Sequence, residues 1–206
     1  MPGDRSGAGP SDLQLSRLAV RVGRRLLATG WMLVTAESCT GGWIAKALTD
    51  VAGSSGWVAG GFVTYVNDAK MRDLRVPART LERHGAVSEQ TVRAMARGAL
   101  RRANEARLDD EGPGHDEPGS RGRGGEQVRR WTRRAARVDV AVAVSGIAGP
   151  GGGSVAKPVG TVWFCTAVRH GRAVILSSSI KHFRGNREAV RRQAVQYALR
   201  QVLLIQ

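Results

Sequence analysis

The segment from Thr35 to Gly42, TAESCTGG, gathers hydroxyls at Ser38 and Thr40, a thiol at Cys39 and the glycine pair Gly41 and Gly42. It follows a short apolar run and precedes a helical pattern, so it sits where a strand hands over to a helix. In α/β proteins that place is the carboxyl end of the sheet, where the crevice forms. Two readings of the turn stand side by side. Ser38 or Thr40 caps the helix that follows, or the turn is a reactive one. In the second reading the N–H groups of Cys39, Thr40, Gly41 and Gly42 hold a phosphate or an oxyanion.

A serine hydroxyl becomes a nucleophile only when a base takes its proton. A lysine can do so once burial or a neighbouring cation lowers its pKa. Lys70, in TYVNDAK, follows the next strand and reaches the next turn of the same crevice, with Tyr65 available to relay a proton or hold the lysine. An exposed lysine at that place would be a surface charge only. The third segment, SGIAGPGGGSVAKPVGTV from Ser145 to Val162, leaves a strand and spends many glycines on a loop that exposes backbone N–H groups. It lacks the Walker pattern and is not followed by the helix of a dinucleotide fingerprint. Lys157 within it is a ligand contact or a rim charge.

These three segments need elements to carry them. Leu15, Leu18, Ala19, Val22 and Leu26 recur at helical spacing, which predicts a helix over Ser11–Thr29 ended by Gly30. Trp31–Thr35 reads as a buried strand, with a helix from the Gly41-Gly42 pair to about Asp50. The cluster Gly53–Gly56 is a turn, Trp57–Val66 a strand, and Asn67–Leu74 a short helix; Pro77 starts another turn, and Ser88–Arg102 is a helix. Val138–Val144, Thr161–Val168 and Arg172–Ile180 are strands, the last two joined as a hairpin across His170-Gly171, and Arg187–Leu204 is the last helix. Strands without polar alternation, interleaved with helices, predict one domain: a three-layer α/β/α sandwich on a mixed sheet. No internal repeat is visible.

Composition narrows the function. The 206 residues are 42% apolar, enough for a single core, over residues 11–206, with residues 1–10 as a loose tail. No run is long and apolar enough to span a bilayer or to act as a secretory core, so a cytoplasmic protein away from membranes is expected. Cys39 and Cys165 read as free buried thiols, and two cysteines with four scattered histidines show no metal-ligand spacing. The formal charge is +15, and only Lys46, Lys70, Lys157 and Lys181 are lysines. The arginines are spread over several helices without a nucleic-acid-binding motif, which argues against dedicated nucleic-acid binding and for attraction of a phosphorylated small molecule. Residues 104–137 break the pattern: an acidic stretch is followed by a glycine- and arginine-rich one, read as an inserted surface loop in which Glu126–Arg137 can form a basic helix anchored by Trp131.

The blocks AESCTGGWIAKALTDVAGSSGW, GGFVTYVNDAKMRDLRV, LERHGAVSEQTV, SGIAGPGGGSVAKPVGTVWF and FRGNREAVRRQAVQYAL occur in order and together resemble the CinA C-terminal family, which includes nicotinamide mononucleotide deamidases. The resemblance covers the chain from the first helix onward, apart from the insertion. It implies hydrolysis of the carboxamide of nicotinamide mononucleotide, with Ser38 as nucleophile, Lys70 as general base and Tyr65 assisting. It further implies that Ser54 and Ser55, with Ser145, Gly146, Ile147, Ala148 and Gly149, line the nucleotide pocket. Arg187, Arg191 or Arg192 would meet the phosphate, with no metal or organic cofactor, and the assembly would be a homodimer. Two positions depart from the family pattern, Gly151 and Asn186, where an aspartate is usual, and the insertion replaces a brief connection. Competing expectations are an amidohydrolase acting on another nucleotide-like amide, a thiol enzyme using Cys39, and a non-catalytic nucleotide- or DNA-associated binding protein.

Overall fold

The computed structural model describes residues 9–105 and 137–205. The chain order is α1 (Asp12–Thr29), β1 (Met32–Glu37), α2 (Trp43–Thr49), a short 3-10 turn (Ser54–Gly56), β2 (Val58–Val63), α3 (Asn67–Leu74), α4 (Ala78–His84) and α5 (Glu89–Glu105). After the gap come β3 (Val138–Gly146), β4 (Thr161–His170), β5 (Ala173–His182) and α6 (Arg187–Leu203). The expected tail, apart from residues 9 and 10, and the basic helix around Trp131 lie outside the described residues.

The five strands form one mixed sheet in the order β2-β1-β3-β4-β5. β1 pairs in parallel with β2 and β3, and β3-β4-β5 is antiparallel. β3 shows why the central strands lack alternation. Val140, Val142 and Val144 pack toward α1, α2 and α6, while Ala141 and Ala143 pack toward α3, α4 and α5, so both faces are apolar. The small alanines face α5, which brings its Met95 and Ala99 onto the sheet. These two buried layers make the expected three-layer sandwich. Among the described residues no helix is long and apolar enough to cross a membrane.

Local rules set the helix ends. α1 opens with a capping box in which Ser11 accepts from the Gln14 N–H and Gln14 accepts from the Ser11 N–H, and it closes at Gly30 in the left-handed region. Asn186, one of the two departures, caps α6 by accepting from the Ala189 N–H at 2.9 Å, a role that does not need a negative charge. Gly151, the other, borders open space, where an added Cβ would meet no atom within 4 Å.

Several boundaries differ from expectation, with β3, β4 and β5 each running two residues further than expected. β1 runs on to Glu37 rather than stopping at Thr35, because as an interior strand it is paired on both sides, Glu37 standing opposite Val63 and Val144. β2 ends at Val63 instead of Val66, because after one further bond from the Thr64 N–H to the Glu37 carbonyl the chain turns toward α3. The stretch after Pro77 is a helix, α4, capped by the proline, rather than a turn.

Candidate active site

Ser38 is the first residue beyond β1. Its N–H still donates to the Val144 carbonyl of β3 at 3.1 Å, so the sheet itself fixes the start of the turn. The chain then reverses through Gly41 (φ 61°) and Gly42 (φ 89°), both in the left-handed region that glycine enters at little cost. α2 starts at Trp43, and no side chain from its own N-cap position, Gly42, satisfies its first N–H groups.

Glu37 supplies that missing cap from upstream. Its carboxylate, fully buried, accepts from the Ile44 N–H at 2.9 Å, the Ala45 N–H at 2.8 Å and the Thr40 hydroxyl at 2.7 Å. A buried carboxylate is tolerated when it is hydrogen-bonded this fully, and here it also meets the positive end of the helix. Arg191 of α6 holds the same turn from the other side. Its Nε donates to the Cys39 carbonyl at 3.1 Å and its Nη2 to the Thr40 carbonyl at 2.7 Å, with the guanidinium 5.1 Å from the centre of the Trp43 ring. The carbonyls of the turn are thus taken by a cation and the donors of the helix by an anion. Among the described residues no backbone carbonyl accepts from the N–H of Cys39, Thr40 or Gly42.

Lys70, on the first turn of α3, reaches back to this turn. Its ammonium nitrogen lies 3.1 Å from Ser38 Oγ, 2.9 Å from the Thr64 carbonyl and 3.1 Å from the Tyr65 carbonyl. The lysine is 1% exposed and Ser38 7%. Burial holds the Lys70 pKa below its ordinary value, and among the described residues no carboxylate pairs with it to favour the charged form. In its neutral form, with two hydrogens on the two carbonyls, the amine would turn its lone pair to Ser38 Oγ, the arrangement a general base requires.

Tyr65 takes part through its backbone. Its phenol points away from the lysine and is half exposed, accepting from Arg187 Nη2 at 2.7 Å. Arg187 also donates from Nη1 to the Gly149 carbonyl at 2.8 Å, and so joins the β2–α3 connection to the glycine loop across the mouth of the site. In that loop, Ser145 donates its hydroxyl to the Ala86 carbonyl at 2.7 Å, the Ile147 N–H donates to Thr161, and Ala148 is buried in the core. Gly146 sits where a side chain would collide with Val162 and the Thr161 carbonyl. Ser145 and Ile147 thereby hold the loop in shape, while Gly149 presents its carbonyl at the rim. Lys157 is a rim residue that donates to the His84 carbonyl at 3.0 Å.

Ser38, Cys39, Thr40, Gly41, Gly42, Lys70, Tyr65, Arg187 and the Gly146–Gly149 loop are therefore brought together. Ser54 and Ser55 are not. Their turn precedes β2, which runs parallel to β1, and the Trp57 carbonyl accepts from Leu33 near the start of β1. At about 3.3 Å per residue this places them roughly 16 Å from Ser38, at the opposite end of the sheet. Arg192 is also committed elsewhere, to Asp12 at 2.6 Å and Glu188 at 2.9 Å. Cys39 is buried, and burial pushes its thiol up to about 12, so it carries no thiolate near neutral pH. Glu37 was not among the expected site residues; its signal was a carboxylate carried on an otherwise apolar strand directly before the turn. Among the described residues no group of histidine, cysteine and carboxylate side chains is placed to hold a metal.

The model of the CinA C-terminal domain matches residues 15–106 and 125–205. The nicotinamide-nucleotide amidohydrolase PncC of Escherichia coli (strain K12) is 46% identical over 189 residues, which span 92% of this chain and 93% of that one. The amidohydrolase of the same name from Pseudomonas putida is 43% identical over 185 residues, 90% of this chain and 92% of that one. Among solved structures, the competence/damage inducible protein CihA from Agrobacterium tumefaciens superposes with a TM-score of 0.71 at 40% identity, covering 95% of this chain and 96% of that one. With likeness extending through both the sequence and the fold over nearly its whole length, the chain belongs to the CinA C-terminal domain family.

Proposed function

We propose that the chain hydrolyses the carboxamide of nicotinamide mononucleotide to nicotinic acid mononucleotide and ammonia. The observation that carries this reading is the contact between the buried Lys70 amine and Ser38 Oγ at 3.1 Å, on a scaffold shared at 46% identity with a nicotinamide-nucleotide amidohydrolase. Neutral Lys70 takes the proton of Ser38 as Oγ attacks the amide carbon. The carbonyl π electrons move onto oxygen, and the N–H groups of Cys39 and Thr40 beside the nucleophile are free to meet that oxyanion. Lys70, now an ammonium, returns the proton to the amide nitrogen, and the C–N bond breaks to release ammonia. Water then adds to the acyl-enzyme, giving its proton to Lys70, and Ser38 leaves as the hydroxyl.

Arg187 is the basic residue proposed to meet the 5′-phosphate. Among the described residues its partners at the mouth are neutral, the Tyr65 phenol and the Gly149 carbonyl, either of which a phosphate oxygen can displace. No step of this sequence calls for a metal or organic cofactor. A cytoplasmic homodimer is proposed with this activity. The exposed Val63 and Val66 beside edge strand β2, 53% and 61% accessible, supply an apolar border that a second copy can cover.

The reading is tested by following ammonia from nicotinamide mononucleotide, nicotinamide riboside and nicotinamide in parallel. Release from the mononucleotide at much the highest kcat/KM is expected. Equal release from all three would remove the role given to the phosphate, and release only from an unrelated amide would replace the substrate.

A further inference from the structure

α1 and α6 lie side by side and run in the same direction. Arg192 pairs with Asp12 at one end, and the Arg25 guanidinium donates to the Ile205 carbonyl at the other. Between these ties the outer surfaces of the two helices leave a groove of about 210 Å³ lined by Gln14, Arg17, Leu18 and Arg21 of α1 and Gln196 and Arg200 of α6. The α1 positions follow the three- and four-residue steps of one helical stripe, and Leu18, buried, forms the floor. Three guanidiniums and two carboxamides thus surround one concavity, and among the described residues no carboxylate lines it.

Facing helices ordinarily set opposite charges across such a seam, and like charges there repel. Here Arg17 and Arg21 face Arg200, and among the described residues none of the three meets an acidic side chain. The acids on these helices, Asp12 and Glu188, are gathered at one end, where Arg192 consumes them. Every polar group lining the groove can donate, and guanidinium forks match the paired oxygens of a phosphate.

We propose that the groove between α1 and α6 is a second ligand site, separate from the Ser38 crevice, that binds the phosphate groups of a small di- or polyphosphorylated molecule. The groove is open to solvent, so its guanidinium forks can take the phosphate groups while the rest of a ligand stays outside. The site does not depend on the amidohydrolase reading, because it shares no residue with the catalytic turn.

The test is isothermal titration of the full chain with inorganic pyrophosphate, and in a second arm with adenosine diphosphate, at physiological salt. The parent chain is expected to bind one equivalent, and Arg21→Gln with Arg200→Gln to weaken binding tenfold or more. Both positions are exposed, and ammonia release by the double variant is expected to match the parent, which shows that it folds. Equal affinity in the two arms means that phosphate alone is read, whereas tighter binding of the diphosphate nucleotide means that its base or ribose adds contacts. Absence of pyrophosphate binding, or binding that survives in the double variant but is lost in Arg187→Gln, would overturn the proposal. So would a short duplex DNA that binds through the same arginines while pyrophosphate does not.

Discussion

The Glu37 carboxylate and the Thr40 hydroxyl meet at 2.7 Å inside the turn that carries Ser38, and the same carboxylate caps α2 through Ile44 and Ala45. The turn that carries Ser38 is thus held by a hydrogen-bonded anion on one side and by the Arg191 guanidinium on the other.

Removing that anion should damage both stability and turnover. Glu37→Ala leaves two helix N–H groups and a hydroxyl without their acceptor in a buried place, a loss of about 3 kcal/mol. Thermal unfolding is expected to fall by about 6 to 12 °C. In the variant that remains folded at low temperature, kcat should drop with KM little changed, because the turn bearing Ser38 is loosened while Arg187 and the glycine loop are untouched. An unchanged melting temperature would show that the carboxylate does not hold the turn.

The depressed pKa of Lys70 has a definite pH signature. Burial penalises its charged form, so the folded chain binds fewer protons than the unfolded one between the lowered pKa and the ordinary value of 10.5. Across that window stability rises with pH, and the penalty is fully present below it. Lys70→Met should remove this slope. For catalysis, kcat/KM should climb about tenfold per pH unit on the acid side and level off below 10.5, as the amine becomes neutral. A limb that levels off only at or above 10.5 would mean that the base is a solvated lysine.

Cys39 adjoins Ser38, yet its thiol is pushed up to about 12 by burial. Cys39→Ala is expected to keep turnover within about threefold of the parent, the modest loss coming from a small packing change. Iodoacetamide should modify the native chain slowly, as measured by intact mass, and leave ammonia release intact. Rapid inactivation with one alkyl group on Cys39 would transfer the nucleophile's role to the thiol.

Arg187 bridges Tyr65 and Gly149 at the mouth of the site. Arg187→Ala should raise KM for nicotinamide mononucleotide by about tenfold to a hundredfold, the worth of a charge-assisted bond to phosphate, and affect nicotinamide riboside far less. Steady-state kinetics on the two substrates separate these outcomes, and equal losses on both would assign Arg187 to holding the loop alone.

Much of this architecture could be read from the chain. The valines of β3 and the three- and four-residue steps of α1 declare their buried faces directly, and strand-to-helix turns point to the crevice wherever the sheet is parallel. The meeting of Ser38 and Lys70 in one crevice was legible for that reason. Ser54 and Ser55 were not, because which end of the sheet a turn occupies depends on how β2 pairs with β1, a relation between distant segments. α4 was missed because ARTLERH offers only Leu81 as an apolar anchor, too little for a period to show. Glu37 escaped because a carboxylate on a buried strand declares no purpose until the unfilled cap of α2 is seen beside it. Tyr65 was expected to relay a proton or hold the lysine, and the atom that meets Lys70 is its carbonyl.

The central claim is that Ser38, activated by Lys70, attacks the amide carbon. It is tested most directly by ammonia release from nicotinamide mononucleotide, compared among the parent chain, Ser38→Ala and Lys70→Met, each confirmed to be folded by circular dichroism. The account predicts release by the parent and a loss of about a thousandfold or more in each variant. Release by Ser38→Ala at a rate near that of the parent would contradict it.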